Sequence, residues 1–241
     1  MENGMIELSD VEKKVDAHLQ KAAFYLQTYR GIDALAVLEP ALAIVNSKDV
    51  RPQVKAAVYR DLGQAHIQVG HFEDGLRFFI QSYETLEDGN DKAAVAGMIA
   101  GYYLREGKLV EAEEYARKSR DTATAPELLA GPFHILGEVA ARKGDFPKAI
   151  ELMNKAAELA EQSHCITDLA MIIMDLSAVF LKMGMKETAL SETCRAERYV
   201  KECHNLDLYT RCAIRRAKIL LIMGKDEEAK ALIMALDEQE C

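Results

Sequence analysis

The stretch Leu136–Ala160, LGEVAARKGDFPKAIELMNKAAELA, decides the fold. Leu136, Val139 and Ala140 fall on one stripe of a helix that Gly144 stops. Beyond a short turn, Phe146, Ala149, Ile150, Met153, Ala156 and Ala157 form a second apolar stripe at i, i+3, i+4, i+7 spacing. The segment therefore reads as a helix, a glycine-terminated turn, and a second helix packed back on the first.

The same punctuation recurs in both directions. LGQAHIQVGHFEDGLRFFIQSYETL runs from Leu62, IAGYYLREGKLVEAEEYARKS from Ile99, LSAVFLKMGMKETALSETCRAE from Leu176 and RAKILLIMGKDEEAKALIMAL from Arg216. The turn glycines are Gly70, Gly107, Gly144, Gly184 and Gly224, in steps of 37, 37, 40 and 40. Five positions after each stands a small residue: Gly75, Ala112, Ala149, Ala189 and Ala229. A sixth copy, FYLQTYRGIDALAVLEPALAI from Phe24, has Ala34 at the small position and Tyr29 where the glycine is expected. Glycine is the cheapest residue for the left-handed end of a helix, and closely crossing helices need a small side chain at the contact. Repeats at a fixed period are the mark of a stacked array.

The pattern L-G-x6-G-x-F-x2-A-[IL] resembles the tetratricopeptide repeat along nearly the whole chain, with units longer than the usual ~34 residues. Such lengthened repeats are similar to those of bacterial peptide-sensing regulators and eukaryotic adaptor and motor-cargo scaffolds. The resemblance implies an all-α fold, a right-handed superhelical solenoid of about six helical hairpins, as a single domain over 1–241. The repeats span roughly 10–47, 50–88, 91–122, 125–163, 167–204 and 207–238. Loops are expected near 46–52, 87–91, 122–126, 163–168 and 204–207, with Asp49, Asp91, Thr124 and Thr167 as turn formers and helix caps.

Composition agrees with a helical globular chain. Its 241 residues are 49% hydrophobic and 29% charged, with 5 Pro, 7% aromatic residues and no Trp. A net charge of -9 argues against nucleic acid, which needs a concentrated basic face. No apolar stretch reaches the ~20 residues of a membrane span, and residues 1–10 lack the basic-then-apolar pattern of a signal peptide. A cytoplasmic location is expected. Cys165, Cys194, Cys203, Cys212 and Cys241 read as reduced thiols.

The resemblance also places the first helix of each hairpin on the inner, concave surface, at i, i+3, i+7, i+10 and i+11. On this sequence that spacing selects Ala57, Arg60, Gln64, Ile67 and Gln68. It next selects Ala94, Gly97, Gly101, Leu104 and Arg105, then Gly131, His134, Glu138, Ala141 and Arg142. Met171, Met174, Ala178, Leu181 and Lys182 follow, and last Arg211, Ile214, Lys218, Leu221 and Ile222. The candidate peptide-binding groove is Arg60, Gln64, Gly97, Gly101, Arg105, His134, Glu138, Arg142, Met174, Lys182 and Lys218. Arg105, Arg142 and Lys182 would form a basic row, although a cation in a last turn also compensates the helix dipole. Chaperone-binding members of the family grip a carboxylate with Lys and Asn; here Arg60, Gln64, Gly97 and Gly101 stand instead. Peptide-sensing members use inward Asn, whereas Asn3, Asn46, Asn90, Asn154 and Asn205 all avoid the inner positions.

Chemistry is not indicated. His164–Cys165 and Cys203–His204 sit in loops, and neighbouring residues on a helix point about 100° apart, so neither pair is a preformed metal site. No phosphate-loop, dinucleotide, nucleophile-elbow or zincin motif occurs. The sequence thus predicts no enzyme, no cofactor and no metal, but an interaction module cradling a protein or peptide partner, an acidic one if the basic row forms. The alternatives are a self-associating scaffold and, from another class, a thiol- or metal-dependent enzyme. Self-association is suggested by the last hairpin, where Ile219, Leu220, Leu232, Ile233 and Leu236 lack a following helix to cover them; a homodimer through this repeat is expected.

Overall fold

A computed structural model describes residues 9–202 and 205–237. Among the described residues there are twelve α-helices and no strand. They are α1 (Asp10–Gln27), α2 (Gly31–Ser47), α3 (Pro52–Gln68), α4 (Phe72–Thr85), α5 (Asn90–Arg105) and α6 (Leu109–Thr122). After a 3₁₀ turn (Pro126–Leu128) come α7 (Ala130–Arg142), α8 (Phe146–Gln162), α9 (Ile166–Lys182), α10 (Lys186–Glu202), α11 (Leu206–Ile222) and α12 (Asp226–Asp237). No helix among them is long and apolar enough to cross a membrane. The chain divides into two compact units, residues 1–102 and 103–241, with the division inside α5.

Each unit is a stack of helical hairpins. In the first, α1 packs on α2, α3 on α4, and α2 on α3. In the second, the hairpins α7–α8, α9–α10 and α11–α12 are joined through α8 on α9 and α10 on α11. The end of α5 opens this unit: Tyr103 meets the Tyr115 ring of α6 at 5.8 Å, and Leu104 packs with Ala112 and Val139.

One local structure makes every hairpin. Gly70, Gly107, Gly144, Gly184 and Gly224 all have φ between 74° and 84°. The residue after each donates its N–H to the carbonyl five positions back, as in Asp145 to Ala140 (3.0 Å) and His71 to His66 (2.8 Å). That bond is the Schellman closure, which satisfies a carbonyl the helix end would leave open. Tyr29 adopts φ 55° and the same closure joins Arg30 to Tyr25, so the sixth copy keeps the turn without the glycine. His164, also at φ 55°, ends α8 in the same way, with Cys165 bonded to Ala160.

The second requirement is met at the crossings. Ala34, Ala112, Ala149, Ala189 and Ala229 are completely buried. At Gly75 an added Cβ would lie 2.7 Å from Ile67 Cδ1 and 2.9 Å from the Gly63 carbonyl oxygen, closer than atoms pack. At Gly137 it would lie 2.7 Å from Met153 Cγ. The resulting cores are apolar, from Val15, Leu38 and Val58 in the first unit to Met153, Ile172, Ile173 and Leu208 in the second.

Two sequence expectations change. The side-chain caps seen are Ser9, whose hydroxyl accepts from Glu12 N–H in a capping box, Asp145 on α8 and Asn205 on α11. Asp49 and Thr167 are not among them, because Arg51 and Cys165 hold the N-cap positions of α3 and α9, and Asp91 lies within the first turn of α5. Ile219 and Leu220 are not left uncovered either: both are buried, Leu220 packing with Ala229 and Leu232 of α12, while Leu221, Ile222, Ile233 and Met234 are exposed. Cys203, His204 and Cys241 lie outside the described residues.

Two stability measurements follow from these contacts. Ala149→Leu forces three carbons into a crossing with no free surface and should lower urea-unfolding stability by about 1–3 kcal/mol. Tyr29→Gly should raise stability by about 0.5–1 kcal/mol, since a left-handed non-glycine residue is strained. The ring lost is 84% exposed, so packing is not at stake, and a destabilised Tyr29→Gly protein would contradict the strain.

Candidate functional site

The first helices of the second unit, α7, α9 and α11, present the most organised polar surface. His134 Nε2 lies 3.1 Å from Asp175 Oδ2 and 3.8 Å from Glu138 Oε1. Arg215 reaches across from α11 with Nη2 3.6 Å from Asp175 Oδ1, and its Nη1 donates to the Met174 carbonyl. Arg142 Nη1 donates to the Leu104 carbonyl at 2.5 Å, and its Nη2 stands 3.4 Å from Glu138. Charge therefore alternates across the stacked helices: Arg142, Glu138, His134, Asp175, Arg215.

Burial gives this chain its strength. Desolvation opposes a charge on His134, but the Asp175 hydrogen bond and the negative charges of Asp175, Glu138 and Asp168 outweigh it, and the imidazole pKa is raised. For Asp175, burial works toward the neutral acid, yet His134, Arg215 and Arg211 prevail and the pKa is lowered. Both directions describe an imidazolium–carboxylate pair.

Beside it lies a depression of about 400 Å³, lined by Ala178, Leu181 and Lys182 of α9 and by Arg211, Ile214, Arg215 and Lys218 of α11. Its walls are mostly apolar, with Ile214 57% exposed, and four cations stand around it. Arg215 is held by Asp175 and Arg211 lies 3.8 Å from Asp207. Among the described residues, neither Lys182 nor Lys218 has an ion-pair partner.

The expected groove residues divide as follows. In the first unit, Arg60 is bound to Asp61 at 2.9 Å and Gln64 is half-buried. Gly97 and Gly101 lie on α5, and a Cβ at Gly101 would meet nothing within 4 Å. In the second unit, Arg105 is exposed and 3.9 Å from Glu106, while His134, Glu138 and Arg142 form the charge chain. Lys182 and Lys218 stand at the depression. Met174 is a correction: at 1% exposure it is a core residue, and its neighbour Asp175 occupies the face instead. Sequence spacing missed Asp175 and Arg215. Their signal is the repeat step itself, since His134 and Asp175 are 41 residues apart and Arg215 follows Asp175 by 40.

A second depression, about 200 Å³ between α6, α7 and α8, is lined in part by Glu113, which pairs with Lys143 (2.5 Å) and Arg117 (2.6 Å). The Lys143 and Arg117 hydrogen bonds hold the Glu113 carboxyl down at about 2.

No protein-family model matches the sequence, and no curated protein matches it. Solved structures do. NprR in complex with its cognate peptide NprX is 15% identical with a TM-score of 0.73, covering 98% of this chain and 70% of that one. The Rap protein complexed with competence and sporulation factor is 14% identical with a TM-score of 0.71, covering 94% and 76%. The TPR-like repeats of a Podosopora anserina kinesin light chain are 15% identical with a TM-score of 0.63, covering 82% and 99%. At these identities the likeness is one of fold: the chain is a tetratricopeptide-like helical solenoid.

The charge chain predicts a pH dependence. Because its folded pKa is raised, protonated His134 contributes fully below about pH 6.5, the unfolded value, and the contribution fades as pH climbs through the folded value. The stability gap between the wild type and His134→Gln should be wide at about pH 5.5 and narrow at about pH 8.5, read from urea midpoints. A gap that widens with pH would exclude the imidazolium pair.

Proposed function

We propose that this chain is a non-catalytic interaction module that binds an acidic, extended peptide segment on the α9–α11 face. The observation that carries the reading is the depression whose apolar walls sit beside Lys182 and Lys218. An apolar floor accepts side chains, and unpaired cations at its edge select carboxylates and steer their approach. One of the similar structures, NprR, holds its cognate peptide, which supports the same use of the fold. The chain's net charge of -9 makes this local excess of cations selective, since a general attraction would favour basic peptides.

The basic row moves in this reading. Arg142 is engaged with the Leu104 carbonyl and Glu138, so its reversal would disturb packing as well as any ligand. Lys182 and Lys218 carry the selectivity instead. Peptide display on the immobilised protein should enrich acidic segments with apolar residues, and their binding should weaken as salt rises. Lys182→Glu with Lys218→Glu should reduce binding of those peptides by at least about tenfold with the thermal midpoint unchanged. Lys118→Glu, on α6, should leave it intact. Enrichment of basic or purely apolar peptides, or full binding by the double reversal, would sink the proposal.

A further inference from the structure

We propose that His66, His71 and Asp74 form a binding site for a borderline divalent cation of the Zn²⁺, Co²⁺ or Ni²⁺ class, built on the turn between α3 and α4. Each offers one ligand atom, and the three atoms lie within 4.8 Å of one another. Two imidazoles and one carboxylate suit these metals better than the all-oxygen sets that Mg²⁺ and Ca²⁺ require.

The turn holds the ligands in place. His66 lies in the last turn of α3, His71 is the N-cap residue of α4 and Asp74 lies in its first turn. The His71 N–H donates to the His66 carbonyl at 2.8 Å across Gly70, whose φ of 84° closes the Schellman bend. The separation of the two backbones is thereby fixed, with their rings 5.8 Å apart. His66 is held further by stacking on Phe78, with centroids 5.3 Å apart and planes within 16°. A metal–imidazole bond is about 2.0–2.1 Å, so modest rotations of the exposed His71 and the half-buried Asp74 draw the three atoms onto one ion.

An independent observation points to a ligand. His66 Nδ1 is buried and has no hydrogen-bond partner. A buried polar atom left unpaired is costly, and structures keep such atoms where something else completes them. The Asp74 carboxylate now pairs with Arg77 at 2.9 Å, but the Arg77 side chain is 63% exposed and such a solvent-facing pair yields easily to a cation.

The other cluster of this kind among the described residues, His134, Glu138 and Asp175, contrasts with it. There Arg142 and Arg215 already face the carboxylates, so the demand for positive charge is met from within. At the α3–α4 turn three protein ligands leave a tetrahedral ion one open position, free for water or for a donor from a partner.

Cobalt titration of the full, reduced, chelator-treated chain tests the site. One equivalent of Co²⁺ should bind with the weak visible bands of nitrogen and oxygen ligands, without thiolate charge transfer, and should raise the thermal midpoint. His71→Ala and Asp74→Asn should each weaken binding by at least roughly tenfold, with unchanged circular dichroism. The site is overturned by failure to bind a stoichiometric ion, by a thiolate charge-transfer band, or by binding that survives both substitutions and falls in His134→Ala.

Discussion

Two antiparallel helices can cross closely only where neither carries bulk at the point of contact, and the rest of this structure depends on that crossing. Ala34, Gly75, Ala112, Ala149, Ala189 and Ala229 supply it in successive hairpins, each lodged against the preceding helix. The turn that sets up the crossing is equally constrained. A left-handed residue and a Schellman bond return the chain at a fixed angle, so the small residue arrives at the contact five positions later. Because each hairpin repeats this geometry, neighbouring first helices in a stack come side by side.

That adjacency produces the proposed binding surface. Side chains one repeat step apart in sequence become neighbours in space, which is how His134, Asp175 and Arg215 meet although they belong to three different hairpins. Their ion pairs fix the first-helix face of the second unit and engage Asp175 and Arg215 internally. Lys182 and Lys218, farther along the same helices, lack such partners among the described residues and stand beside an apolar depression. Cations of one face thus divide into those that carboxylates engage and those without an ion-pair partner among the described residues. The α3–α4 turn applies the same logic locally: the bend required to form a hairpin brings two imidazoles and a carboxylate together.

The sequence by itself determined the hairpins, because their requirements are local. Glycine at a left-handed position and a small residue at a crossing are dictated by sterics within a few residues, so the turns from Gly70 to Gly224 were legible, and so was the substituted turn at Tyr29. Helical period also selected Glu138, Lys182 and Lys218, which stand on the α7, α9 and α11 surface. Only the tertiary structure decided which side of α9 faces outward. That helix, ITDLAMIIMDLSAVFLK, is apolar almost all round, so its period does not distinguish Met174 from Asp175, which point about 100° apart. Packing from α8 and α10 settled the matter by burying Ile172, Ile173 and Met174 together, which leaves the carboxylate to meet His134. The fate of Arg142 was beyond the sequence for the same reason: a basic last turn is compatible with a free cation or a bridging one, and the Leu104 carbonyl that claims it lies on another helix.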